Sequence, residues 1–430
     1  MGALDIVYMP VAALRPYLRN ARTHSKKQIK QIAASIEEFG FTTPVLTDAG
    51  GRIIAGHGRL EAAKLLGLSE VPTIRLEDLS EAQIRAYIIA DNRLAELAGW
   101  DNDILAIELQ ALSELKLDFN IEITGFETPE IDILIAGLET QPDDDSADQI
   151  PDLSGSGPPV SQTGDLWRLG RHRLLCADAT EPESFQRILE GEQAQMVFTD
   201  PPYNVPIDGN VCGLGRVKHA EFAMASGEMT EDQFTCFLET VFGHLAQHSA
   251  DGAIHFVCID WRHLYEALTA GRKAYREIKN LCVWNKTNGG MGSLYRSKHE
   301  LVLVFKNGRA SHINNIELGR HGRNRSNVWD YAGINSFGAD RDQSLAMHPT
   351  VKPVALVEDA IRDCSKRKGI ILDPFVGSGT TLIAAERAGR RGYGLELDPR
   401  YVDVALERFR ATFGKDPVHV PSGLSFSELK

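Results

Sequence analysis

The chain has no Cys-x-x-Cys pair. Its six cysteines stand at 176, 212, 236, 258, 282 and 364, so neither a zinc site nor a disulfide framework is expected. No apolar run approaches the roughly 20 residues that cross a bilayer, and Met1 to Pro10 lacks the basic-then-apolar order of a secretion signal. A cytoplasmic location without a membrane partner is expected. Positive charge is also short: the formal net charge is −13, which argues against a nucleic-acid partner unless Lys and Arg collect on one face. They do collect locally. From Trp284 to Asp342 stand Lys286, Arg296, Lys298, Lys306, Arg309, Arg320, Arg323, Arg325 and Arg341, against Glu300, Glu317, Asp330, Asp340 and Asp342. A solvated face would account for that excess equally well.

What is present is an ordinary globular composition, 43% hydrophobic and 24% charged over 430 residues, enough for two or three domains. The composition breaks at residues 139–163, where Asp143, Asp144 and Asp145 precede Pro151 and the run Ser154-Gly155-Ser156-Gly157-Pro158-Pro159. Such residues bury little apolar surface, so a flexible linker is expected between residues 1–138 and 164–430. Before it, Ser25 caps a helix carrying Ile29, Ile32, Ile36 and Phe39, ended by Gly40. Strands at 44–47, 52–55 and 73–76, a helix at 59–66, and helices capped by Ser80 and Asp101 complete a small α+β domain. After the linker, strands at 196–199, 253–259, 301–305, 369–372 and 392–395 alternate with helices at 231–247, 262–270, 354–364, 380–388 and 399–413. That alternation implies a doubly wound, Rossmann-like α/β sheet.

Two motifs carry chemistry. In Ile370-Ile371-Leu372-Asp373-Pro374-Phe375-Val376-Gly377-Ser378-Gly379-Thr380-Thr381 a buried strand ends at an acid, glycines turn the chain, and a helix begins. Glycines let backbone approach a ligand closely, and the helix start offers unpaired N–H groups. Glu396 lies at the end of the next strand, where an acid accepts hydrogen bonds from ribose hydroxyls. Position 382 is Leu382, so a dinucleotide fingerprint is incomplete, and a Walker lysine is absent. The second motif, Asp200-Pro201-Pro202-Tyr203, directly follows the strand 196–199. Its prolines fix the backbone and remove donors, leaving a carboxylate and a carbonyl beside an aromatic face. A planar exocyclic amine with two N–H donors fits that arrangement.

Together these motifs resemble the DNA adenine and cytosine N-methyltransferases, and their order resembles the permuted β class of that family. Trp284-Asn285-Lys286, His299-Glu300 and His348-Pro349-Thr350-Val351-Lys352-Pro353 agree with it. The resemblance implies S-adenosylmethionine as cofactor, no metal, and double-stranded DNA as substrate. It assigns catalysis to Asp200, Pro201, Pro202 and Tyr203. It assigns the cofactor to Asp178, Thr350, Lys352, Asp373, Phe375, Gly377, Ser378, Gly379, Thr380 and Glu396, with Asp178 near adenine and Thr350 and Lys352 near the methionine end. Target recognition is implied for residues 285–345, including Asn288 to Gly292 and Arg320 to Arg325, with the loop Val205 to Gly227 as an alternative recognition element or lid. Asp at position 200 favours adenine N6 over cytosine N4.

The N-terminal part resembles ParB and sulfiredoxin-like domains through Arg19-Asn20-Ala21-Arg22 and Ile54-Ala55-Gly56-His57-Gly58-Arg59. That resemblance implies a nucleotide or DNA site at Asn20, Arg22, Gly56, His57 and Arg59. Gly58 stands where partition proteins usually carry arginine, which puts nucleotide turnover in doubt. A homodimer, a place in restriction–modification, a ParB-like adaptor with an inactive methylase domain, an RNA or protein-glutamine methylase, and a nuclease at the N-terminal domain complete the range of readings.

Overall fold

The computed structural model describes residues 4–138, 146–151, 157–204, 227–287, 289, 294–319, 323–333 and 351–430. The chain divides into two compact units, Met1–Glu139 and Thr140–Lys430.

In the first unit, β1 (Ile6–Pro10), α1 (Lys26–Phe39), β2 (Val45–Thr47), β3 (Ile53–Ala55), α2 (His57–Leu65), β4 (Glu70–Arg75) and α3 (Glu81–Leu97) precede α4 (Asn102–Glu114) and α5 (Thr128–Ala136). The sheet order is β1-β4-β2-β3. Leu14, Val45, Ile53, Leu60, Ala63 and Val71 close one core, while Ile54 packs with Ile84 and Ile88 of α3 on another. The helix starts follow the caps in the sequence: Ser25 accepts from the Gln28 amide, Ser80 forms a capping box with Gln83, and Asp101 accepts from the Ile104 amide.

The second unit is built on a ten-stranded mixed sheet. Its elements are β5 (Leu166–Leu169), β6 (His172–Cys176), α6 (Pro182–Leu189), β7 (Ala194–Thr199), α7 (Glu231–Gln247), β8 (Ser249–Ile259), α8 (Leu264–Ala274), β9 (Glu277–Asn285), β10 (His299–Lys306), β11 (Val328–Asp330), α9 (Val354–Cys364), β12 (Ile370–Asp373), α10 (Thr380–Arg387), β13 (Arg391–Glu396), α11 (Pro399–Phe413) and β14 (Val418–His419). The sheet order is β11-β9-β10-β8-β7-β12-β13-β6-β5-β14. Strands β6, β13, β12, β7 and β8 run parallel through its centre. Helices α9, α10 and α11 cover one face; α6, α7 and α8 cover the other. From β12 the chain steps to β13 on one side, while β7 lies on the other. The connections therefore leave β12 and β7 towards opposite sides, which opens a crevice at the carboxyl ends of these two parallel strands.

The segment expected to be a free linker is in part docked. Ala147 is buried, and its carbonyl accepts from the Arg408 guanidinium at 2.8 and 2.9 Å. The Asp148 carboxylate accepts from the Val354 amide at 2.9 Å, and the Val160 and Ser161 amides donate to Asp403 at 2.7 and 3.0 Å. Backbone hydrogen bonds to buried charges hold a stretch that its apolar content could not.

Candidate active site

The central strands deliver their acids to one edge of the sheet. Asp178 follows β6, Glu396 ends β13, Asp373 ends β12, and Asp200 follows β7. Because β10 runs antiparallel to β8, with Leu301 opposite Ile259, Glu300 reaches the same edge from the start of its strand. Thr199 donates to the Asp373 carboxylate at 3.0 Å, which ties the strand entering the Asp-Pro-Pro-Tyr turn to the glycine loop. Asp373 also accepts from Thr381 at 2.6 Å and from the Phe375 amide at 3.0 Å. It is a buried clamp beneath the loop, and burial raises its pKa to about 6.

Within the loop, Ser378 and Thr380 turn inward, each 2.9 Å from the Arg408 guanidinium. Gly379 begins α10 with a left-handed backbone. Phe375 packs near Phe237, ring centroids 5.9 Å apart. What stays half-open is Gly377, with φ +54°; a side chain there would point into clear space, so the ligand side of the loop is bare backbone. Gly394 is small for the opposite reason: a Cβ would come 2.0 Å from Val376, so the loop packs only on glycine. Glu396 accepts from the Gly377 amide at 2.9 Å and the Asp398 amide at 3.0 Å. Burial nevertheless pushes its pKa up to about 7. Asp178, on the neighbouring strand, binds the Thr180 amide at 2.7 Å through Oδ1. Thr350 lies outside the described residues, as do residues 205–226.

The Asp-Pro-Pro-Tyr turn sits in a buried charge cluster. The Tyr203 hydroxyl donates to Asp200. The Lys352 ammonium lies 2.5 Å from the other Asp200 oxygen, 2.9 Å from Glu300 and 3.2 Å from the Tyr203 hydroxyl. Glu300 also binds the Lys286 ammonium, which rests 4.5 Å over the Trp284 ring. Burial raises Asp200, partly offset by Lys352. Burial would raise Glu300 too, but Lys352 and Lys286 hold it down at about 2. Lys352 stays charged against its own burial because of Asp200 and Glu300. Lys352, assigned from sequence to the cofactor, thus stands on Asp200. Asn204, which drew no notice in the sequence, adopts φ +53° and binds the Gly227 and Met229 amides at 3.1 and 3.2 Å. Asn tolerates that conformation, and its side chain ties the turn to the returning chain.

The basic stretch divides. Arg323 and Arg325, expected in a DNA-contacting loop, instead pair with Asp359 and Asp363 on α9 at 2.7 to 3.2 Å. Their charge is neutralised inside the unit, so that expectation is corrected. Lys306 and Arg309 flank the turn at the far edge of the sheet, where Asp251 near the start of β8 accepts from the Arg309 amide. Arg320 and Arg341 lie outside the described residues, as does most of 288–292. Arg296 and Lys298, both exposed, remain beside Glu300 on the catalytic edge.

In the first unit the five residues named from sequence also divide. His57 accepts from the Tyr17 amide at 3.2 Å. Gly56 opens α2, and the Arg59 guanidinium folds back over it to donate to the Thr43 and Pro44 carbonyls at 2.8 and 3.1 Å. Asn20 and Arg22 line a cleft of about 300 Å³ with Tyr17, Arg19, Arg85 and Arg93. Arg22 and Arg93 there share Glu96.

An α/β sheet with a glycine loop and an acceptor turn on one carboxyl edge defines a nucleotide-type methyltransferase fold. Comparison with known proteins gives the family. A DNA methylase model matches residues 194–407, a ParB-methyltransferase HTH domain residues 103–163, and a ParB N-terminal domain residues 3–92. The chain belongs to the S-adenosylmethionine-dependent N6/N4 DNA methylase family and carries ParB-type domains ahead of the methylase. The ParB-like nuclease domain-containing protein YnaK of Escherichia coli K12 is 52% identical over 80 residues, 19% of this chain and 92% of that protein. The type II methyltransferase M.HpaI of Haemophilus parainfluenzae is 28% identical over 258 residues, 56% of this chain and 75% of that protein. The crystal structure of the M1.HpyAVI–SAM complex is 20% identical with a TM-score of 0.41, over 55% of this chain and 97% of that one. Among the described residues no helix is long and apolar enough to cross a membrane, and no cluster of acids, histidines or cysteines could hold a metal ion.

Proposed function

We propose that the chain methylates the exocyclic amine of a base flipped out of duplex DNA, with adenine N6 the target. The observation that carries this reading is the 3.0 Å hydrogen bond from Thr199 to Asp373, which sets the acceptor turn and the cofactor loop on adjacent strands of one crevice. Glu396 and Asp178 would hold the nucleoside part of S-adenosylmethionine. Each Glu396 oxygen takes one backbone N–H and keeps a lone pair for a hydroxyl, and Gly377 leaves room for close approach. The cofactor supplies an electrophilic methyl group.

The chain's own residues do the rest. An amine lone pair delocalised into its ring is a poor nucleophile, and flipping the base costs a few kcal/mol. Stacking on Tyr203 returns roughly 1–3 kcal/mol. The Asp200 carboxylate and the Pro202 carbonyl accept the two amine hydrogens, which favours a tetrahedral nitrogen and aims its lone pair outward. Positioning and electrostatics carry the rate. Asp200 removes no proton beforehand, because the methylated amine is acidic and loses one afterwards. Asp at 200 supports adenine. Digesting methylated genomic DNA to nucleosides and weighing the product tests it: N6-methyladenine is expected, and N4-methylcytosine would overturn the choice of base. Work on DNA assigns the chain to the cytoplasm.

Arg296 and Lys298 are expected to touch phosphates on the catalytic edge. Replacing both by alanine should flatten the slope of log K against log salt by about 1.8, since each phosphate contact contributes roughly 0.9. Filter binding across a salt series checks this, and an unchanged slope would place the DNA elsewhere. In the first unit, the arginine cleft is proposed to take a nucleoside triphosphate. Arg19→Ala with Arg85→Ala should weaken the tightest-binding of the four ribonucleoside triphosphates at least about tenfold, since hydrogen bonds to charged groups contribute about 1.5–3 kcal/mol each. Calorimetry showing no binding to the unaltered chain would remove this ligand.

A further inference from the structure

The charge cluster around Asp200 contains more than the amine acceptors require. Asp200, if it is to accept from a base amine, must present an oxygen. Yet its Oδ1 takes the Tyr203 hydroxyl and its Oδ2 takes Lys352. An ammonium held only by Asp200 would compete directly with the substrate. Here it is not held only by Asp200: Glu300 stands 2.9 Å from the same nitrogen and is itself buried, 7% exposed. Glu300 is fixed in place by Lys286 on the paired strand, where Glu300 lies opposite Trp284.

We propose that Glu300 is a positioning residue for methyl transfer, drawing the Lys352 ammonium off Asp200 so that Asp200 has an oxygen to offer the amine. This rests on the reading of Asp200 given above. When the base enters, one amine N–H replaces the Lys352 N–H on Oδ2, and Lys352 keeps Glu300. The cluster stays charge-balanced, two carboxylates against two ammonium groups, and no buried charge is left without a partner. Lys286 serves the same end from the other side, by fixing Glu300 so that Lys352 is drawn to Glu300 and not Glu300 to Asp200.

The arrangement has a signature in pH. Facing Asp200 are Tyr203 from its own turn, Glu300 from β10, Lys352 ahead of α9, Asp373 from β12 and Cys258 from β8. Of these, Glu300 raises the Asp200 pKa and Lys352 lowers it. Only ionised Asp200 accepts its amine hydrogen well, so the acid limb of kcat/KM follows this group. Removing the Glu300 charge takes away a like charge and gives Lys352 wholly to Asp200; both effects lower the limb. Removing the Lys352 charge raises it.

The experiment is single-turnover methylation of duplex DNA by the full chain, with excess enzyme, across pH 5 to 9. Glu300→Gln is close to isosteric and should lower kcat at least about tenfold, with cofactor affinity by calorimetry within about threefold and the acid limb shifted to lower pH. Lys352→Met should shift the limb to higher pH. Wild-type kcat and an unmoved limb in Glu300→Gln would overturn the proposal. So would a Lys352→Met enzyme whose cofactor affinity falls tenfold while its limb stays in place, because Lys352 would then belong to the cofactor. Failure of this proposal leaves the Asp200 reading standing, whereas a wild-type chain that methylates no DNA removes that reading first.

Discussion

Asp200→Ala is expected to lower methyl transfer to duplex DNA by about 10³-fold or more, with S-adenosylmethionine still binding within about threefold of wild type. A single preorganised hydrogen-bonding group at a reacting centre is worth about 10²–10³ in rate, and Asp200 supplies both an acceptor and a charge. The fold should survive. Its removal leaves Lys352 on Glu300 at 2.9 Å, so no ammonium is stranded, and Thr199 keeps its bond to Asp373. Cofactor affinity should hold because Glu396 lies two strands along the edge and the Gly377 amide is held by Glu396 and not by Asp200. Labelled-methyl incorporation beside calorimetry separates the two quantities. Asp200→Asn keeps the acceptor without the charge, so an intermediate rate would apportion the effect between them. Wild-type turnover in Asp200→Ala would remove the acid from the mechanism altogether.

Much of the methylase sheet was legible because its strands are continuous apolar runs buried on both faces. The elements at 194–199, 249–259, 299–306, 370–373 and 391–396 each lie within a few residues of the reading from sequence. Strands β1 and β9 were not, and for one reason: β1 is exposed at four of its five positions and β9 at its first five. A strand with one wet face, at a sheet edge as β1 is or next to it as β9 is, has no buried run to betray it. The Asp-Pro-Pro-Tyr turn and the glycine loop were legible as motifs. The partners of Asp200 were not, although Lys286, Glu300 and Lys352 all stood inside recognised segments. What brings them together is the register of β9 on β10 and the approach of the chain before α9, and neither is written in local spacing. The docked half of the linker misled through composition, since its residues bury little area yet bond through the backbone of Ala147, Val160 and Ser161 to Arg408 and Asp403.

The arginines show how a charge count misleads, and they support the second large prediction. Asp363→Ala is expected to destabilise the methylase unit by about 3–5 kcal/mol, the usual cost of stranding a buried charge, or on the order of 10 °C in Tm. Asp363 has a side chain only 4% exposed and binds Arg323 at 2.7 Å and Arg325 at 3.2 Å. Its companion Asp359, one helical turn earlier on α9, is 31% exposed, so its removal should cost less. The Tyr331 hydroxyl, 2.8 Å from Arg325 and 2.5 Å from Asp359, closes the cluster. The sign of the DNA effect separates this role from the one the charge pattern suggested. If Arg323 and Arg325 faced DNA, removing an acid between them would release positive charge, tighten binding and steepen its salt dependence. If they brace α9 against the segment before β11, Asp363→Ala should lower Tm and leave the salt slope where it was, at any temperature where the unit is still folded. Thermal melts paired with a salt series on Asp363→Ala and the milder Asp363→Asn decide between them: a steeper slope at unchanged Tm would return these arginines to the DNA.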